Sequence, residues 1–394
     1  MTSPRGFLSS ADAEPARATW DGSRWLIDGA HFPEEPAEDA VARLRRFQSV
    51  RLAWPAPQLD HRPDHRPGPS SYGEPSRGGG HDPGPPYDTG ERRSLDAVMA
   101  LAAAGVPLHA ETVPEWLAAA DPALAALLTS TGWLEPETDT SGVSVAALRR
   151  EEHSVRLRRH ALAARRTRAS VSVIVASRRP SMAGWALAQI ARQRHVDVEV
   201  VFAAHGYPAD VVRRAAEGLP IPVEVVEADG GTVFGDVLNE AARHASGDLI
   251  AKWDDDDWYG PEHLADLLLA RSYSGADIVG TTAEFFHLEP LNLTIRRTDY
   301  KSEVWNRHVA GGTIMLDRAT FTGFPSVPRA VDEGMLTAAE AAGARIYRTH
   351  GLGYMLRRST AGRHTWRLPL AHFLKVATNQ WRGVRPSRIL EPAH

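Results

Sequence analysis

Apolar runs that predict strands alternate with helical patterns through the middle of this sequence, from residue 170 to residue 270. These runs are β-branched and nearly continuous, as in strands that are buried on both faces of a sheet. Strands that alternate with helices predict a parallel sheet with right-handed crossovers, and such sheets bind ligands beyond the carboxyl ends of their strands. The predicted strands are 171–176, 198–204, 223–226 and 249–253, and the predicted helices are 185–192, 209–217, 234–244 and 263–270.

Four consecutive aspartates, Asp254 to Asp257, follow the last of these strands, and we call them the acidic run. Like charges at close approach repel by about 1 kcal/mol per pair in water and by about 4 kcal/mol at an effective dielectric of 20. The acidic run therefore favours a bound cation, and hard cations such as Mg²⁺ and Mn²⁺ prefer carboxylate oxygens. The alternative is a solvated turn that caps the next helix. Polar turns also follow the first two strands, at Ser177 and His205, and this shared placement favours the cation site.

The composition is that of a globular protein, and it excludes several kinds of site. A chain of 394 residues is long enough for two or three domains, and its net charge of -4 argues against a general nucleic-acid-binding protein. The absence of cysteine excludes disulfides and thiolate zinc sites. No apolar stretch approaches the ~20 residues of a membrane span, and residues 1–5 do not resemble a signal peptide. The expected location is cytoplasmic, with peripheral membrane contact as an option.

The first part of the chain predicts a small α/β domain, formed by residues 1–54 and 91–144 and carrying no recognisable catalytic constellation. Residues 55–90 are rich in Pro, Gly, Ser and His and lack periodicity, which predicts a disordered loop inserted in this domain. Residues 145–169 predict a strongly basic linker helix. Two interpretations stay open for it: a solvated connection, or a surface that meets anionic lipid or an anionic partner.

Several motifs after residue 170 together resemble the family 2 glycosyltransferases, which have the GT-A fold. The acidic run contains an Asp-x-Asp motif in Asp254 and Asp256, and residues 177–180 form a Ser-Arg-Arg-Pro turn after the first strand. The order and spacing of the motifs carry the resemblance, which extends over residues 170–366. The other segments that resemble the family are 238–242, 245–250, 311–318, 324–325, 331–333, 341–347 and 363–366.

The resemblance implies a GT-A type wound mixed sheet with helices on both faces, beside the smaller N-terminal α/β domain with its insert. It implies a metal-dependent, inverting transfer of a sugar from a nucleoside-diphosphate sugar to an acceptor hydroxyl. The cofactor would be Mn²⁺ or Mg²⁺, and the acceptor a glycan, a lipid-linked molecule or a protein. A nucleic-acid partner is not expected, whereas a homodimer is an option.

The resemblance also implies roles for individual residues. Asp332 is the first candidate for the general base and Glu333 the second. The remaining implied sets are Asp256, Asp254 and His364 for the metal; Ser177, Arg179, His205, Asp254 and Asp255 for the nucleotide; and Trp258, Trp305 and Trp366 for the sugar or acceptor. A structural hydrogen bond is the alternative for His364, and core packing is the alternative for each tryptophan. Asp255 and Asp257 could instead point into the sheet edge or cap the following helix.

Two departures from the family pattern leave other functions open. His205 stands where the family often has an acidic residue that contacts the base, and Val331 stands where Glu is usual before the catalytic Asp. A non-catalytic module that binds nucleotide sugars or glycans is therefore one alternative. A sugar-1-phosphate nucleotidylyltransferase is another, although the turn at 177–180 is not the Gly-rich loop of such enzymes. Residues 367–394 predict a C-terminal helix and tail, in which an amphipathic helix over 368–381 could pack on the domain or mediate dimerisation.

Overall fold

The computed structural model describes Pro4 and residues 14–32, 38–55, 88–165, 169–359 and 368–391. Most of the predicted disordered insert, residues 56–87, lies outside the described residues. The same is true of His364 and Trp366.

The described N-terminal residues form a five-stranded sheet with the order β3-β2-β1-β4-β5. Strand β1 is parallel to β4, and β4 is parallel to β5, so helices must connect them. Asp88 and Glu91 form a reciprocal capping box at the start of Thr89–Ala103, a helix in the connection between β4 and β5. The elements are β1 (Ala16–Trp20), β2 (Trp25–Ile27), β3 (Ala30–Phe32), α1 (Glu38–Arg43), β4 (Val50–Ala53), α2 (Thr89–Ala103), β5 (Leu108–Ala110), α3 (Glu115–Ala120), α4 (Pro122–Thr129) and α5 (Ala146–Ala161).

The rest of the chain contributes the remaining strands and helices. The strands are β6 (Ser170–Ser177), β7 (Asp197–His205), β8 (Val223–Ala228), β9 (Leu249–Trp253), β10 (Trp258–Tyr259), β11 (Ile278–Thr281), β12 (Phe285–Leu288), β13 (Leu293–Arg296), β14 (Val304–Trp305), β15 (Met315–Asp317), β16 (Ile346–Thr349), β17 (Tyr354–Arg358) and β18 (Asn379–Arg382). The helices are α6 (Ala183–Ala191), α7 (Asp210–Ala216), α8 (Phe234–His244), α9 (His263–Ser274), α10 (Val331–Ala341) and α11 (Leu370–Val376).

The described residues of this region form an eight-stranded mixed sheet with the order β14-β16-β11-β15-β9-β6-β7-β8. Strands β9, β6, β7 and β8 are parallel, whereas β15 is antiparallel to both β9 and β11. Successive residues of β6 pack on opposite faces: Val173 and Val175 lie in the core shared with α6, α7 and α9, and Ile174 lies in the core shared with α8 and α10. The predicted mixed sheet with helices on both faces is confirmed.

A second, five-stranded sheet among the described residues has the order β10-β17-β12-β13-β18. Helix α11 packs on one face of it, where Phe373 contacts Phe286. The predicted helix over 368–381 is wrong in its second half, because the chain leaves α11 at Val376 and forms β18. Pairing of β18 with β13 satisfies backbone groups that a longer helix would have satisfied internally.

The basic helix predicted over 145–169 forms α5, but four of its five arginines are not solvated, and only Arg156 of α5 is exposed. Arg149, Arg150, Arg158 and Arg159 are buried, each at most 9% exposed. Arg158 lies 3.0 Å from Glu303, and Arg159 lies 2.8 Å from Asp266. The solvated interpretation is therefore wrong for these side chains, and their burial also keeps them from a lipid surface. The predicted domain boundaries stay a prediction.

No helix among the described residues is long and apolar enough to cross a membrane.

Buried histidines make the stability of this fold sensitive to acid. Burial lowers the pKa of His153 to about 4, that of His263 to about 3 and that of His350 to about 4. Unfolded histidines, with pKa values near 6.5, bind protons that these folded ones do not. The unfolding free energy should therefore fall as the pH drops below about 6.5.

Replacement of His263 by phenylalanine should remove the proton that His263 takes up on unfolding, while keeping an aromatic ring beside Trp253 and Tyr259. The slope of the unfolding free energy against pH should then decrease by about 1.4 kcal/mol per pH unit between about pH 4.5 and 6. Urea unfolding at a series of pH values measures this slope. His308→Phe at an exposed position is the control, and an unchanged slope in His263→Phe would contradict the assignment.

Candidate active site

The carboxyl ends of three parallel strands bring together residues that are far apart in the sequence. Ser177 ends β6 beside Ala204 of β7, and Val175 of β6 pairs with Trp253 of β9. His205 and the acidic run therefore follow at the same edge as Ser177. The hydroxyl of Ser177 donates a hydrogen bond to Asp255, which confirms that the first and fourth parallel strands meet at this edge.

Arg179 forms ion pairs with two members of the acidic run. Its guanidinium contacts Asp255, with Nε 3.2 Å from Oδ2, and its Nη1 lies 2.5 Å from Oδ2 of Asp256. Burial raises the pKa of Asp255, although Arg179 opposes that shift. Asp255 is buried and Asp256 is partly accessible, so Asp256 offers the carboxylate that a ligand can approach.

Lys252 joins Asp254 and Asp332, the two aspartates that lie on opposite sides of the candidate site. Its side chain is 3% exposed, and its Nζ lies 2.7 Å from Oδ1 of Asp254 and 3.2 Å from Oδ1 of Asp332. Burial alone would lower the pKa of Lys252, but the two aspartates outweigh it and raise that pKa above its usual value. Lys252 is a functional residue that was not predicted from the sequence. The available signal was a lysine in an otherwise apolar strand, because buried lysines are almost always paired.

A pair of glycines allows these aspartates to come so close to the backbone. A Cβ at Gly311 would clash with the carboxylate of Asp332, and a Cβ at Gly312 would lie 2.8 Å from Oδ2 of Asp254. The carbonyl of Gly311 also accepts a hydrogen bond from Lys252 Nζ, at 3.3 Å. The Gly-Gly segment is therefore part of the wall of the site.

Asp332 lies in the first turn of α10 and faces the site, whereas Glu333 is exposed. About a quarter of the Asp332 side chain remains accessible, and its Oδ1 accepts no well-formed hydrogen bond from the described residues. Burial raises the pKa of Asp332, Lys252 opposes this shift, and the nearby charge of Asp254 adds to it. Oδ1 is itself buried beside Lys252, so a ligand hydroxyl would approach the accessible part of the Asp332 side chain.

Helix α10 is held in place by a hydrogen-bonded contact between α8 and the segment before α10. The Asn239 side-chain amide donates a hydrogen bond to the carbonyl of Phe324 at 2.9 Å, and its oxygen accepts one from the backbone N–H of Phe324 at 2.7 Å. Val331 and Met335 then bury one face of α10 in the core below the sheet. This packing explains structurally why the two motif segments, 238–242 and 324–325, occur together.

Asp257 has a structural position. It is buried, accepts hydrogen bonds from the Tyr354 hydroxyl at 2.5 Å and from the Arg357 N–H at 2.9 Å, and so joins the acidic run to β17 of the second sheet. Burial raises the pKa of Asp257 well above its usual range, and the charges of Asp256 and Asp254 add to this shift.

His205 lies at the same edge, under an exposed arginine. It is 2% exposed, and Arg178 approaches its ring, with Nε 3.2 Å from Nδ1. Burial lowers the pKa of His205, and the charge of Arg178 lowers it further, so the ring is neutral at pH 7. A neutral imidazole can hydrogen-bond a base but cannot replace the charge of an acidic residue.

The structure separates the predicted tryptophans. Trp258 directly follows the acidic run, packs edge-on against Trp185 and His287, and lies under the Arg357 guanidinium. Trp305 is on β14, four strands from β9 in the sheet order, which is on the order of 19 Å at about 4.8 Å per strand. Its ring packs on Tyr347, so the structure does not bring Trp305 to the acidic run.

The chain is similar to known proteins over part of its length. Residues 172–318 match the family model described as Glycosyl transferase family 2, so the predicted family resemblance is confirmed there. A mannosyltransferase of Pyrobaculum calidifontis, solved with GDP-Man and Mn²⁺, is 22% identical over 53% of this chain and 63% of its own, with a TM-score of 0.43. Residues 1–349 of TarS from S. aureus, solved with UDP-GlcNAc, are 19% identical over 52% of this chain and 64% of that one, with a TM-score of 0.40. The chain thus spans less than two thirds of either structure, and no curated protein matches its sequence.

Proposed function

Because residues 172–318 match glycosyl transferase family 2, we propose that this chain transfers a sugar from a nucleoside-diphosphate sugar to an acceptor hydroxyl, with inversion. The observation that carries this proposal is the meeting of the acidic run with Asp332 around Lys252, at the ligand-binding edge of the sheet. The acidic run and Asp332 would have different roles in this reaction. The acidic run would serve the donor, and Asp332 would serve the acceptor.

The charges at this edge are compatible with one divalent cation, Mn²⁺ or Mg²⁺. Four carboxylates and two cationic side chains meet there, which leaves two negative charges: Asp254, Asp255, Asp256 and Asp332 against Arg179 and Lys252. Asp256 and Asp254 would hold the ion, which would offset the charge of the leaving diphosphate. No three His, Asp or Glu side chains among the described residues are placed to hold one metal ion together, and these cations commonly use one or two carboxylates together with substrate phosphates.

Asp332 would act as the general base. Its carboxylate takes the proton of the acceptor hydroxyl, and the hydroxyl oxygen attacks the anomeric carbon from the face opposite the diphosphate. The bond between the anomeric carbon and the diphosphate oxygen breaks, and the diphosphate leaves with that electron pair. The configuration at the anomeric carbon is therefore inverted. Lys252 touches neither reactant in this scheme and is a positioning residue, because it fixes Asp332 relative to Asp254.

The nucleotide would bind along the turn that follows β6. Ser177 and Arg179 provide a hydroxyl and a guanidinium there, and arginine pairs well with phosphate. Asp255 would hold these two residues in place, His205 would lie near the base, and Trp258 near the sugar. Since His205 is neutral, recognition of the base would depend on hydrogen bonds rather than on charge.

Donor binding can be tested by thermal unfolding in the presence of a panel of nucleoside-diphosphate sugars, with and without Mn²⁺. We expect one donor to raise Tm only when Mn²⁺ is also present, because the ion would bridge the donor diphosphate and the acidic run. Binding of a donor at a concentration of 100 times Kd stabilises the folded protein by about 2.7 kcal/mol. Asp256→Asn should lose the Mn²⁺-dependent part of the shift. Asp210→Asn, an exposed change on α7, should keep it. A full shift in Asp256→Asn would remove Asp256 as a metal ligand.

Donor hydrolysis separates this proposal from a non-catalytic binding module, which the replacement of Glu by Val331 would favour. A transferase slowly passes the sugar to water when no acceptor is present, and release of the nucleoside diphosphate measures that reaction. A protein that binds the donor without any release would be a binding module.

A further inference from the structure

The last part of the sequence has an unusual excess of positive charge. Residues 341–390 contain no Asp or Glu, although the whole chain has a net charge of -4. Their basic residues are Arg345, Arg348, Arg357, Arg358, Arg363, Arg367, Lys375, Arg382, Arg385 and Arg388. Such a segment needs either internal carboxylates or an anionic partner.

Some of these charges are neutralised inside the protein. Arg357 forms an ion pair with Glu289, and Arg388 lies 3.2 Å from Glu137. Arg382 and Arg385 are different, because both are exposed and no carboxylate lies within ion-pair distance of either among the described residues. The exposed Arg345 and Lys375 also form no ion pair among the described residues, but Arg382 and Arg385 lie close together in one short stretch of the chain.

The topology places Arg382 and Arg385 at one end of the strands of the second sheet, which we treat as one edge of that sheet. Strand register aligns Arg358 of β17 with Leu288 of β12, Leu288 with Leu293 of β13, and Leu293 with Arg382 of β18. The four positions form a row across the sheet. The turns beyond this row, 289–292 and 383–385, project from the same edge.

Exposed apolar side chains share this edge with the arginines. Leu291 is 45% exposed, Val384 is 43% exposed and Leu368 is 36% exposed. The Arg358 guanidinium donates to the carbonyl of Leu368 at 3.1 Å, and the Gly383 N–H donates to the carbonyl of Asn292 at 2.8 Å. These bonds hold the apolar side chains beside the row. We call this surface the basic edge; it comprises Leu291, Arg358, Leu368, Arg382, Val384 and Arg385.

We infer that the basic edge docks on an anionic lipid bilayer. Basic side chains are attracted to the negative surface potential of such a bilayer, and neighbouring apolar side chains gain by entering the boundary of the acyl chains. A soluble polyanion would use the arginines but would leave Leu291, Val384 and Leu368 in water. The combination of charge with exposed leucine and valine therefore favours lipid.

The basic edge adjoins the candidate active site through Arg357, whose N–H donates to Asp257 of the acidic run. Docking would bring the acidic run close to the bilayer surface. If the proposed function holds, this position fits an acceptor that is carried on a lipid, and that extension rests on the proposed function. The docking itself does not, because its test requires no donor and no turnover.

Co-sedimentation of the full chain with vesicles tests the inference. We expect binding to vesicles of phosphatidylcholine mixed with phosphatidylglycerol, little binding to phosphatidylcholine alone, and weaker binding as salt is raised. Arg382→Glu combined with Arg385→Glu should reduce the partition coefficient by about 30-fold or more. Leu291→Ser combined with Val384→Ser should reduce it by about tenfold, because the apolar contact is lost.

The matched control is Arg213→Glu combined with Arg214→Glu, an exposed pair on α7, which should bind vesicles like the parent chain. Far-ultraviolet circular dichroism confirms that each variant folds. Equal binding to neutral and anionic vesicles, or none to either, would overturn the inference. So would tight binding to soluble polyphosphate that competes with vesicles while the serine variant binds normally, since that result would identify a site for a polyanion.

Discussion

Replacement of Asp332 by asparagine is expected to lower kcat for sugar transfer by about 10²–10⁴-fold, the usual contribution of a general base. Asparagine has nearly the same shape and can still lie beside Lys252, but it cannot take a proton from the acceptor hydroxyl. Donor affinity should change little, because the acidic run is intact. Steady-state transfer rates and donor titration measure the two quantities separately.

Glu333→Gln is the matched control for this change. Glu333 is the next residue along the chain and is exposed, so its replacement should leave kcat unchanged. Loss of activity in Glu333→Gln together with normal activity in Asp332→Asn would assign the base to Glu333. Loss of donor binding in Asp332→Asn would instead place Asp332 in the donor site.

Replacement of Lys252 by methionine is expected to reduce the free energy of unfolding by about 3–5 kcal/mol, because breaking a buried ion pair leaves an uncompensated charge. Here Asp254 and Asp332 would face each other without the cation between them. Urea unfolding at pH 7 measures the loss. Since the pKa of Lys252 is raised, its contribution is fully present below the unfolded value of 10.5 and is lost only as the pH rises above it.

A double-mutant cycle distinguishes this electrostatic role from simple packing. Lys252→Met combined with Asp332→Asn should be more stable than the sum of the single changes predicts, because one of the two facing charges is gone. Lys301→Met, at an exposed lysine, is the control and should change stability by less than about 0.5 kcal/mol. Strict additivity of the two changes would show that Lys252 does not couple to Asp332.

Features that depend on residues close together in the chain could be predicted from the sequence. The alternation of apolar runs with helical patterns predicted β6, β7, β8 and β9 and the helices between them, because the burial of each element shows in its local hydrophobic periodicity. The placement of the acidic run at a strand end followed from the same pattern. The prediction of a helix over 368–381 was wrong in its second half because residues 379–382 form a strand by pairing with β13, a partner that is remote in the sequence.

Charged residues whose partners lie far along the chain were the least predictable. Arg158 and Arg159 looked like a solvated surface, because Glu303 and Asp266, which pair with them, lie more than a hundred positions away. Trp305 looked like part of the sugar site, although the strand order places it on the far side of the sheet from β9. A single sequence does not show strand order across a mixed sheet.

By itself, the sequence determined the α/β class, the strand that carries the acidic run and the family resemblance, since each depends on residue types at short spacing. The tertiary structure alone decided that Lys252 lies between Asp254 and Asp332, that Gly311 and Gly312 leave room for both carboxylates, and that four of the five arginines of α5 are buried. The physical reason is that electrostatic free energy depends on distance and burial, which are set by packing between segments remote in the chain.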